Sequence, residues 1–174
     1  MKRFALIGLV LLVAVLAGGC AGAKPKIYVP ESELPKTKFV VVEVSTYKEF
    51  KLDEEKKEFI FSNPVNREYG RIFKEAFVKE LEIKGFVVIP TIMDTKKDNN
   101  DFLVIEVSFA DKQPLIPFTN GLLVQTTVVK NKERDILRLD SALFTDPPIV
   151  PPAWVARVKF APALAEKIAE IFKK

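Results

Sequence analysis

The sequence predicts an α+β fold: a two-layer sandwich in which two helices pack on one face of a mostly antiparallel sheet, with a β-α-β-β-β-α core. Three observations indicate this class. An apolar stripe with helical spacing over 64–84 ends at Gly85 and leads directly into a short apolar strand. Two strand-like runs on either side of the polar turn at 131–134 predict a hairpin. A second helical stripe over 160–172 closes the chain.

The first strand is predicted at 39–44, FVVVEV, where β-branched residues follow one another. Its continuous apolarity is typical of a strand that is buried on both faces. The polar and charged run from Tyr47 to Glu58 predicts a loop, and the EFIF run at 58–61 predicts a second short strand. We therefore expect one central strand and one short neighbour before the first helix.

The first helix is predicted to begin at Pro64, because the first helical position needs no backbone donor. Asn63 is the predicted N-cap. Gly85 is expected to end the helix in the left-handed conformation, and the strand FVVI at 86–89 follows at once. The stripe that should face the sheet consists of Val65, Tyr69, Ile72, Phe73, Ala76, Phe77 and Leu81.

The second half of the chain supplies three more predicted strands. FLVIEVSF at 102–109 is one, and the hairpin arms at 122–129 and 135–144 are the others. The polar run at 94–101 predicts a loop. Four prolines within 146–152 exclude a central strand there, because proline cannot donate a ladder hydrogen bond.

The first 20 residues have the features of an export signal. Lys2 and Arg3 precede an uncharged run of 14 residues, Phe4 to Ala17, which has the length of a signal-peptide core. Small residues then lead into Cys20, the only cysteine of the chain. This pattern resembles the bacterial lipoprotein signal, which implies cleavage after residue 19 and a covalent lipid on Cys20. An uncleaved transmembrane anchor from Phe4 to Ala23 is the alternative, since a span needs about 20 apolar residues.

The sequence therefore predicts three parts. A signal peptide occupies 1–19, the lipidated Cys20 and a proline-containing tether occupy 20–38, and a single α+β domain occupies 39–174. Prolines recur in the tether and favour a stiff, extended chain. A docking strand at IYVP, residues 27–30, is the alternative for part of this segment.

The sequence lacks side chains that catalysis and metal binding commonly use. The chain has no histidine, the commonest general base, and its one cysteine is assigned to the lipid. We predict no catalytic residue, no metal site and no cofactor other than the lipid on Cys20, and we expect a protein that is not an enzyme. Basic and acidic residues, 27 and 23, are interspersed, and the aromatic residues follow core spacing. No nucleic-acid partner is therefore expected.

Two proline-flanked apolar stretches do not fit the predicted core. Loops normally lie at the surface, and apolar side chains held there are candidate contacts to a partner protein or a membrane. Local burial over a sheet edge or helix end is the alternative. The candidate contact residues are Leu115, Ile116, Phe118, Ile149, Val150 and Trp154.

The N-terminal signal and the order of elements together resemble small envelope lipoproteins. The auxiliary lipoproteins of ABC-type lipid-transport systems and the lipopolysaccharide-assembly lipoprotein have a similar pattern. The matching segments are 39–44, 80–89, 102–109, 122–144 and 163–172. The resemblance implies a non-enzymatic subunit, anchored by its lipid to the membrane, that docks on an envelope protein partner.

Localisation follows from the same resemblance. Ala21, and not an aspartate, follows Cys20, which implies the periplasmic face of the outer membrane in preference to the inner membrane. The alternative function is a structural or regulatory lipoprotein that acts on the cell wall or on a surface appendage. The sequence leaves the partner and the oligomeric state open.

Overall fold

The computed structural model describes residues 25–90, 101–112, 121–145 and 151–172. The strands are β1 (Lys26–Ile27), β2 (Phe39–Asp53), β3 (Glu58–Pro64), β4 (Val87–Ile89), β5 (Leu103–Lys112), β6 (Gly121–Asn131) and β7 (Arg134–Thr145). The helices are α1 (Glu68–Ile83) and α2 (Ala161–Phe172), and a helical turn at Pro152–Trp154 and a π-helical segment at Val155–Phe160 precede α2. The strands form one sheet in the order β1-β7-β6-β5-β2-β3, and β4 also pairs with β2.

The predicted fold class is wrong. Strands dominate the described structure, and the sheet is mixed and curled into a half-barrel, so it is not the sheet layer of a two-layer sandwich. β2 pairs in parallel with both β4 and β5, whereas the sequence predicts mostly antiparallel neighbours. The pairing with β4 is parallel because α1 carries the chain back along the sheet, so that β4 runs in the direction of β2.

The largest local difference is the length of β2. The sequence predicts a loop from Tyr47 to Glu58, but β2 continues to Asp53 and pairs with β3 as far as Glu58. The connecting turn is held by Asp53, whose Oδ1 accepts hydrogen bonds from the backbone N–H groups of Glu55 and Lys56, both at 3.0 Å. We call the part of β2 beyond its pairing with β5, together with the turn and β3, the ribbon (residues 48–64).

Helix α1 begins later than the sequence predicts. Asn63 and Pro64 lie at the end of β3, so their predicted roles as N-cap and first helical residue are wrong, and the helix starts at Glu68. Asn63 has a φ of 58°, a left-handed conformation that asparagine tolerates better than most residues. The predicted end of the helix is confirmed, because Gly85 adopts a φ of 83°.

The helices cover one face of the sheet. Phe73 and Phe77 of α1 are fully buried, and their ring centroids lie 5.1 Å apart. The Phe73 ring meets Phe109 of β5 edge-on at 4.8 Å, and Phe109 contacts Phe160 of the π-helical segment at 5.9 Å. Burying one such side chain stabilises the fold by about 1.5–3 kcal/mol. The predicted burial of the phenylalanines on this stripe is therefore confirmed.

The second half of the sheet follows the sequence prediction closely. The hairpin is confirmed as β6 and β7, with a two-residue turn in which Lys132 has a φ of 56°. The strand predicted at 102–109 is confirmed as β5. The predicted closing helix is confirmed as α2, which is preceded by further helical residues from Pro152 onward.

The segment before residue 39 is attached to the sheet. Lys26 and Ile27 pair with Arg138 and Leu137 of β7, and the backbone N–H of Tyr28 donates to the carbonyl of Ile136 at 2.9 Å. Val29, the next residue, is buried in the core. Part of the segment that the sequence predicts as a tether is thus an edge strand of the domain.

Candidate functional site: an exposed helix surface and a closing seam

The predicted site residues fall mostly outside the described structure. The positions outside the described ranges are those of Cys20 and of the candidate contact residues Leu115, Ile116, Phe118, Ile149 and Val150. Trp154 is described, and its side chain is 44% exposed on the helical turn that precedes α2. Its role as a contact residue stays a prediction.

A second exposed apolar side chain lies one helical turn beyond Trp154. Val158 is also 44% exposed, and residues four apart on a helix share a face. The Nζ of Lys159 lies 5.8 Å from the centroid of the Trp154 ring, within the range of a cation–π contact. The tryptophan ring therefore has Lys159 as a charged neighbour, and Val158 lies one helical turn further along the chain.

A groove of about 450 Å³ adjoins Val158 between α1 and the C-terminal helical segments. Ile72 and Ala76 of α1 provide apolar lining, and Glu75 and Lys79 are among the charged residues at its border. We call Trp154, Val158, Ile72 and Ala76 the helix surface. An apolar centre inside a charged border is the usual anatomy of a protein–protein contact.

The second feature is a seam where the two ends of the curled sheet meet. The Nζ of Lys26 in β1 lies 3.0 Å from Oε1 of Glu58 in β3 and also donates to the carbonyl of Lys56. Arg138 of β7 reaches the same carboxylate, with Nη1 3.4 Å from Oε2 of Glu58, and its Nη2 donates to the carbonyl of Phe59 at 3.0 Å. Side chains therefore close the half-barrel at the ends of β1 and β3.

The seam continues into a buried polar contact. The Nε of Arg138 lies 3.1 Å from Oδ2 of Asp140, and Oδ1 of Asp140 accepts a hydrogen bond from the hydroxyl of Thr126. Asp140 is only 6% exposed, and β3 contacts β5 and β6 as well as its partner β2. The ribbon therefore lies across the face of the sheet that the helices leave uncovered.

Four exposed apolar side chains lie close to the seam residues in the sequence. Ile27, Tyr28, Leu52 and Ile60 are each 46–55% exposed. Each lies within two residues of Lys26 or of the Asp53–Glu58 pair. Partial burial and the nearby Glu58 carboxylate raise the pKa of the Tyr28 hydroxyl. These side chains do not form one face. Leu52 pairs with Phe59 and Ile60 pairs with Lys51, so Leu52 and Ile60 lie on opposite faces of the ribbon. Ile27 lies on the face of the buried Leu137, and Tyr28 lies on the other.

Sequence analysis does not identify the seam. Leu52 lies inside the predicted loop, although the alternation of Phe50 and Leu52 with charged residues is a signal of a strand. Ile27 and Tyr28 belong to the alternative docking strand. The contact of β1 and β7 with β3 depends on the curl of the sheet, which no local pattern encodes.

Two further observations on the described residues concern membrane spans and metal ligands. Over 25–90, 101–112, 121–145 and 151–172, no helix has both the length and the apolarity needed to cross a membrane. Within the same ranges, no group of acidic or cysteine side chains is arranged to hold a metal ion.

Comparison with known proteins yields a similarity of fold. No family model matches the sequence, and no curated protein does. Among solved structures, the chain is similar to the PelC dodecamer from Paraburkholderia phytofirmans, with 11% sequence identity and a TM-score of 0.52, over 84% of this chain and 96% of that chain. A point variant of the same dodecamer matches over the same shares with 12% identity and a TM-score of 0.48. At this identity the likeness establishes a shared fold alone.

Proposed function

We propose that the chain is a non-enzymatic, lipid-anchored accessory subunit of an envelope transport or assembly complex, of the kind that handles lipid or lipopolysaccharide. The observation that carries the proposal is the N-terminal sequence, in which a charged start, an apolar run and small residues lead to the single Cys20. The resemblance to lipoprotein signals supports a location of the mature domain on the periplasmic face of a membrane. Ala21 after the cysteine favours the outer membrane.

The anchor is tested by changing its attachment atom. Acyl transfer needs the thiol, so Cys20→Ser is expected to leave an unlipidated precursor that retains residues 1–19. Intact mass and membrane fractionation of the variant and the wild type give the result. A mature, membrane-bound Cys20→Ser protein would contradict the proposal.

The helix surface is the proposed contact to the partner complex. Trp154 is half-exposed, one helical turn before Val158, which lines the groove, and tryptophan is enriched among the side chains that dominate interfaces. Leu115, Ile116, Phe118, Ile149 and Val150 are proposed to contribute to the same contact or to touch the membrane. A surface role predicts that Trp154→Ser leaves the free energy of unfolding within about 0.5 kcal/mol of wild type.

Co-purification after gentle detergent extraction measures that contact. We expect Trp154→Ser to lose envelope proteins that the wild type retains, and we expect the control Lys74→Ser, at an exposed position of α1, to retain them. Recovery of the wild type as a lone monomer would contradict an accessory role. A large loss of stability in Trp154→Ser would indicate a packing role for the tryptophan.

Self-association is part of the proposal. The PelC structure that shares this fold is a dodecamer, which supports a test for oligomers of this chain. Light scattering coupled to size-exclusion chromatography of the full chain in detergent is expected to give several times the protomer mass. A single-protomer mass at every concentration would remove oligomerisation from the proposal and leave the anchor intact.

A further inference from the structure

We propose that residues 20–25 continue strand β1 along the open edge of β7, so that the lipidated Cys20 lies level with the last residues of that strand. This inference deepens the proposed function and rests on it for the lipid. It adds an orientation: the bilayer lies at the end of the sheet where β5 and β7 end and β6 begins.

The C-terminal half of β7 has one open side among the described residues. On one side, β6 pairs with β7 from Arg134 to Thr145. On the other side, β1 covers only Leu137 and Arg138, and no other strand of the described structure pairs there. An open edge of this kind presents a row of backbone donors and acceptors to which an extended chain can bind.

The backbone of Asp140 needs a partner at this edge. The N–H of Tyr28 donates to the carbonyl of Ile136 at 2.9 Å, and alternate residues of a strand direct their backbone groups to the same side. The backbone groups of Asp140 therefore face the open edge. Asp140 is only 6% exposed, and buried backbone groups are nearly always hydrogen-bonded. The edge therefore calls for a strand that extends beyond β1.

The chain before β1 is directed along this edge. β1 is antiparallel to β7 with Lys26 opposite Arg138, so the chain towards Cys20 runs in the direction of Thr145. Six residues, 20–25, precede Lys26 after the predicted cleavage, and an extended chain of that length spans about 20 Å. Continued without a shift, the register places Cys20 opposite Phe144. The length of the segment therefore matches the open edge.

Two side chains of the segment suit this register. Lys24 falls opposite Asp140, where an ammonium group would meet a buried carboxylate on the same face. Pro25 lies between Lys24 and Lys26, whose backbone groups face β7, so its own backbone nitrogen points away from the sheet. Proline is tolerated at such a position of an edge strand, because the missing N–H would face solvent.

The position of the lipid follows from the register. Phe144 is the penultimate residue of β7, and Thr145 pairs with Gly121 at the start of β6. The turn between Asn131 and Arg134 lies at the other end of the hairpin. A lipid on a residue opposite Phe144 holds the first end at the bilayer and directs the turn away from it.

Cross-strand cysteines in the full chain test the register. Directly opposite residues that are not hydrogen-bonded to each other have Cα atoms about 4.5 Å apart, within disulfide range. Ala23 and Ser141 form such a pair in the proposed strand. Ala142 is the matched control, because adjacent residues of a strand face opposite sides. Ala23→Cys/Ser141→Cys and Ala23→Cys/Ala142→Cys are oxidised with copper phenanthroline in detergent, and the remaining thiols are counted with a maleimide after denaturation.

We expect the 23–141 disulfide to form in several-fold more of the protein than the 23–142 disulfide. Equal yields, a preference for 142, no disulfide in either variant, or a disulfide between two copies would overturn the strand, and the last result would assign the edge to a second copy. Intact mass shows separately whether Cys20 has its lipid. A chain without lipid overturns the anchor, whereas a lipidated chain without the 23–141 disulfide overturns only the strand.

Proline substitution gives a second measurement that leaves β7 unchanged. In the proposed register the backbone groups of Gly22 face β7 at Ala142, whereas those of Ala23 face away. Gly22→Pro is therefore expected to increase hydrogen exchange at the Ala142 amide several-fold, and Ala23→Pro is expected to leave it as in the wild type. Equal exchange at Ala142 in the two variants would contradict the strand.

Discussion

The two faces of the curled sheet are covered by different structural elements, which are held by different kinds of contact. The helix-covered face is sealed by aromatic side chains, with Phe73, Phe77, Phe109 and Phe160 in mutual contact and fully buried or nearly so. The other face is covered by the ribbon, which is joined to the far edge of the sheet through the charged seam around Arg138. The first covering is apolar throughout. The second combines ring contacts within the ribbon, such as Phe50 with Phe59 at 5.7 Å, with the directional ionic contacts of the seam.

The two coverings contribute differently to the stability of the domain and to the positions of the ribbon and β1. Apolar contacts add up over area with little regard to angle, so the helix-covered face supplies most of the stabilisation. Ion pairs contribute less net free energy but need exact partners, so the seam fixes where the ribbon and β1 lie. We expect substitutions on the first face to lower the free energy of unfolding most, and substitutions at the seam to release the ribbon and the N-terminal strand.

The largest effect is expected on the helix-covered face. Phe73→Ala removes a fully buried ring that contacts Phe77 and Phe109, and truncation of a buried phenylalanine costs about 3–5 kcal/mol. Urea unfolding of the full chain in detergent measures the loss. Ile83→Ala on the same helix is the control: its side chain is 75% exposed, and the expected change is within about 0.5 kcal/mol. Similar losses for both variants would contradict the assignment of the buried stripe.

The same contrast explains how far sequence reasoning succeeds. The stripe of α1, the hairpin of β6 and β7 and the left-handed Gly85 follow from local spacing and local backbone chemistry, so they are predictable. The fold class is not, because the direction of β5 relative to β2 and the curl of the sheet are set by contacts far apart in sequence. The composition of residues 47–58 resembles that of a loop. This is because the ribbon is covered on one side only, so the charged side chains on its other side remain in water.

Only part of the candidate site can be predicted from the sequence. Trp154 is the single tryptophan of the sequence, which makes it easy to single out, and its side chain is half exposed. Its role as a contact residue stays a prediction. Arg138 looks like an ordinary outward-facing residue of an alternating strand. Its partner Glu58 is 80 positions earlier, and only the curl of the sheet brings the two within 3.4 Å.

The second largest effect is expected at the seam. Arg138→Met leaves the buried Asp140 carboxylate without its cation and Glu58 with Lys26 alone. Removing one partner of a buried pair costs about 3–5 kcal/mol. Glu58 is partly exposed, so water compensates part of its lost contact, and we expect the free energy of unfolding to fall by about 2–3 kcal/mol. Addition of Asp140→Asn should recover part of the loss, because it removes the unpaired buried charge.

Arg134→Met is the matched control for the seam. Arg134 lies on the same strand and pairs with Glu33 at 3.1 Å, but both side chains are more than half exposed. Exposed pairs contribute about 0–1 kcal/mol, so the control should unfold nearly as wild type does. Hydrogen exchange at Tyr28, whose amide bonds to β7, should increase in Arg138→Met and not in Arg134→Met. Equal exchange in the two variants would mean that the seam does not hold β1.

A smaller effect is expected where α1 crosses β2. A Cβ added at Gly70 would lie 2.7 Å from Cγ2 of Thr46, closer than side chains approach one another. Overpacking costs about 1–3 kcal/mol, and the better helix propensity of alanine offsets about 1 kcal/mol, so Gly70→Ala should lose about 0–2 kcal/mol.

The rescue of this variant is specific. Thr46→Ser removes Cγ2 and keeps the hydroxyl that accepts the backbone N–H of Arg67 at 3.1 Å. The double variant should therefore be more stable than Gly70→Ala alone, as measured by thermal unfolding. If Thr46→Ser lowers stability equally with and without alanine at position 70, the close contact is not the cause.

The smallest effect is expected at Tyr69, where the apolar face ends in a polar contact. The Tyr69 hydroxyl donates to Oδ1 of Asp111 at 2.9 Å, and burial together with the Asp111 carboxylate raises the pKa of the tyrosine. Tyr69→Phe removes one hydrogen bond, so we expect a loss of about 1 kcal/mol at neutral pH. Because the folded-state pKa lies above the unfolded value of about 10, this contribution is complete below that pH and declines as the pH rises above it. The difference in unfolding free energy between wild type and Tyr69→Phe should therefore narrow in urea titrations taken from neutral pH to above pH 10, and a constant difference would show that Tyr69 ionises equally in both states.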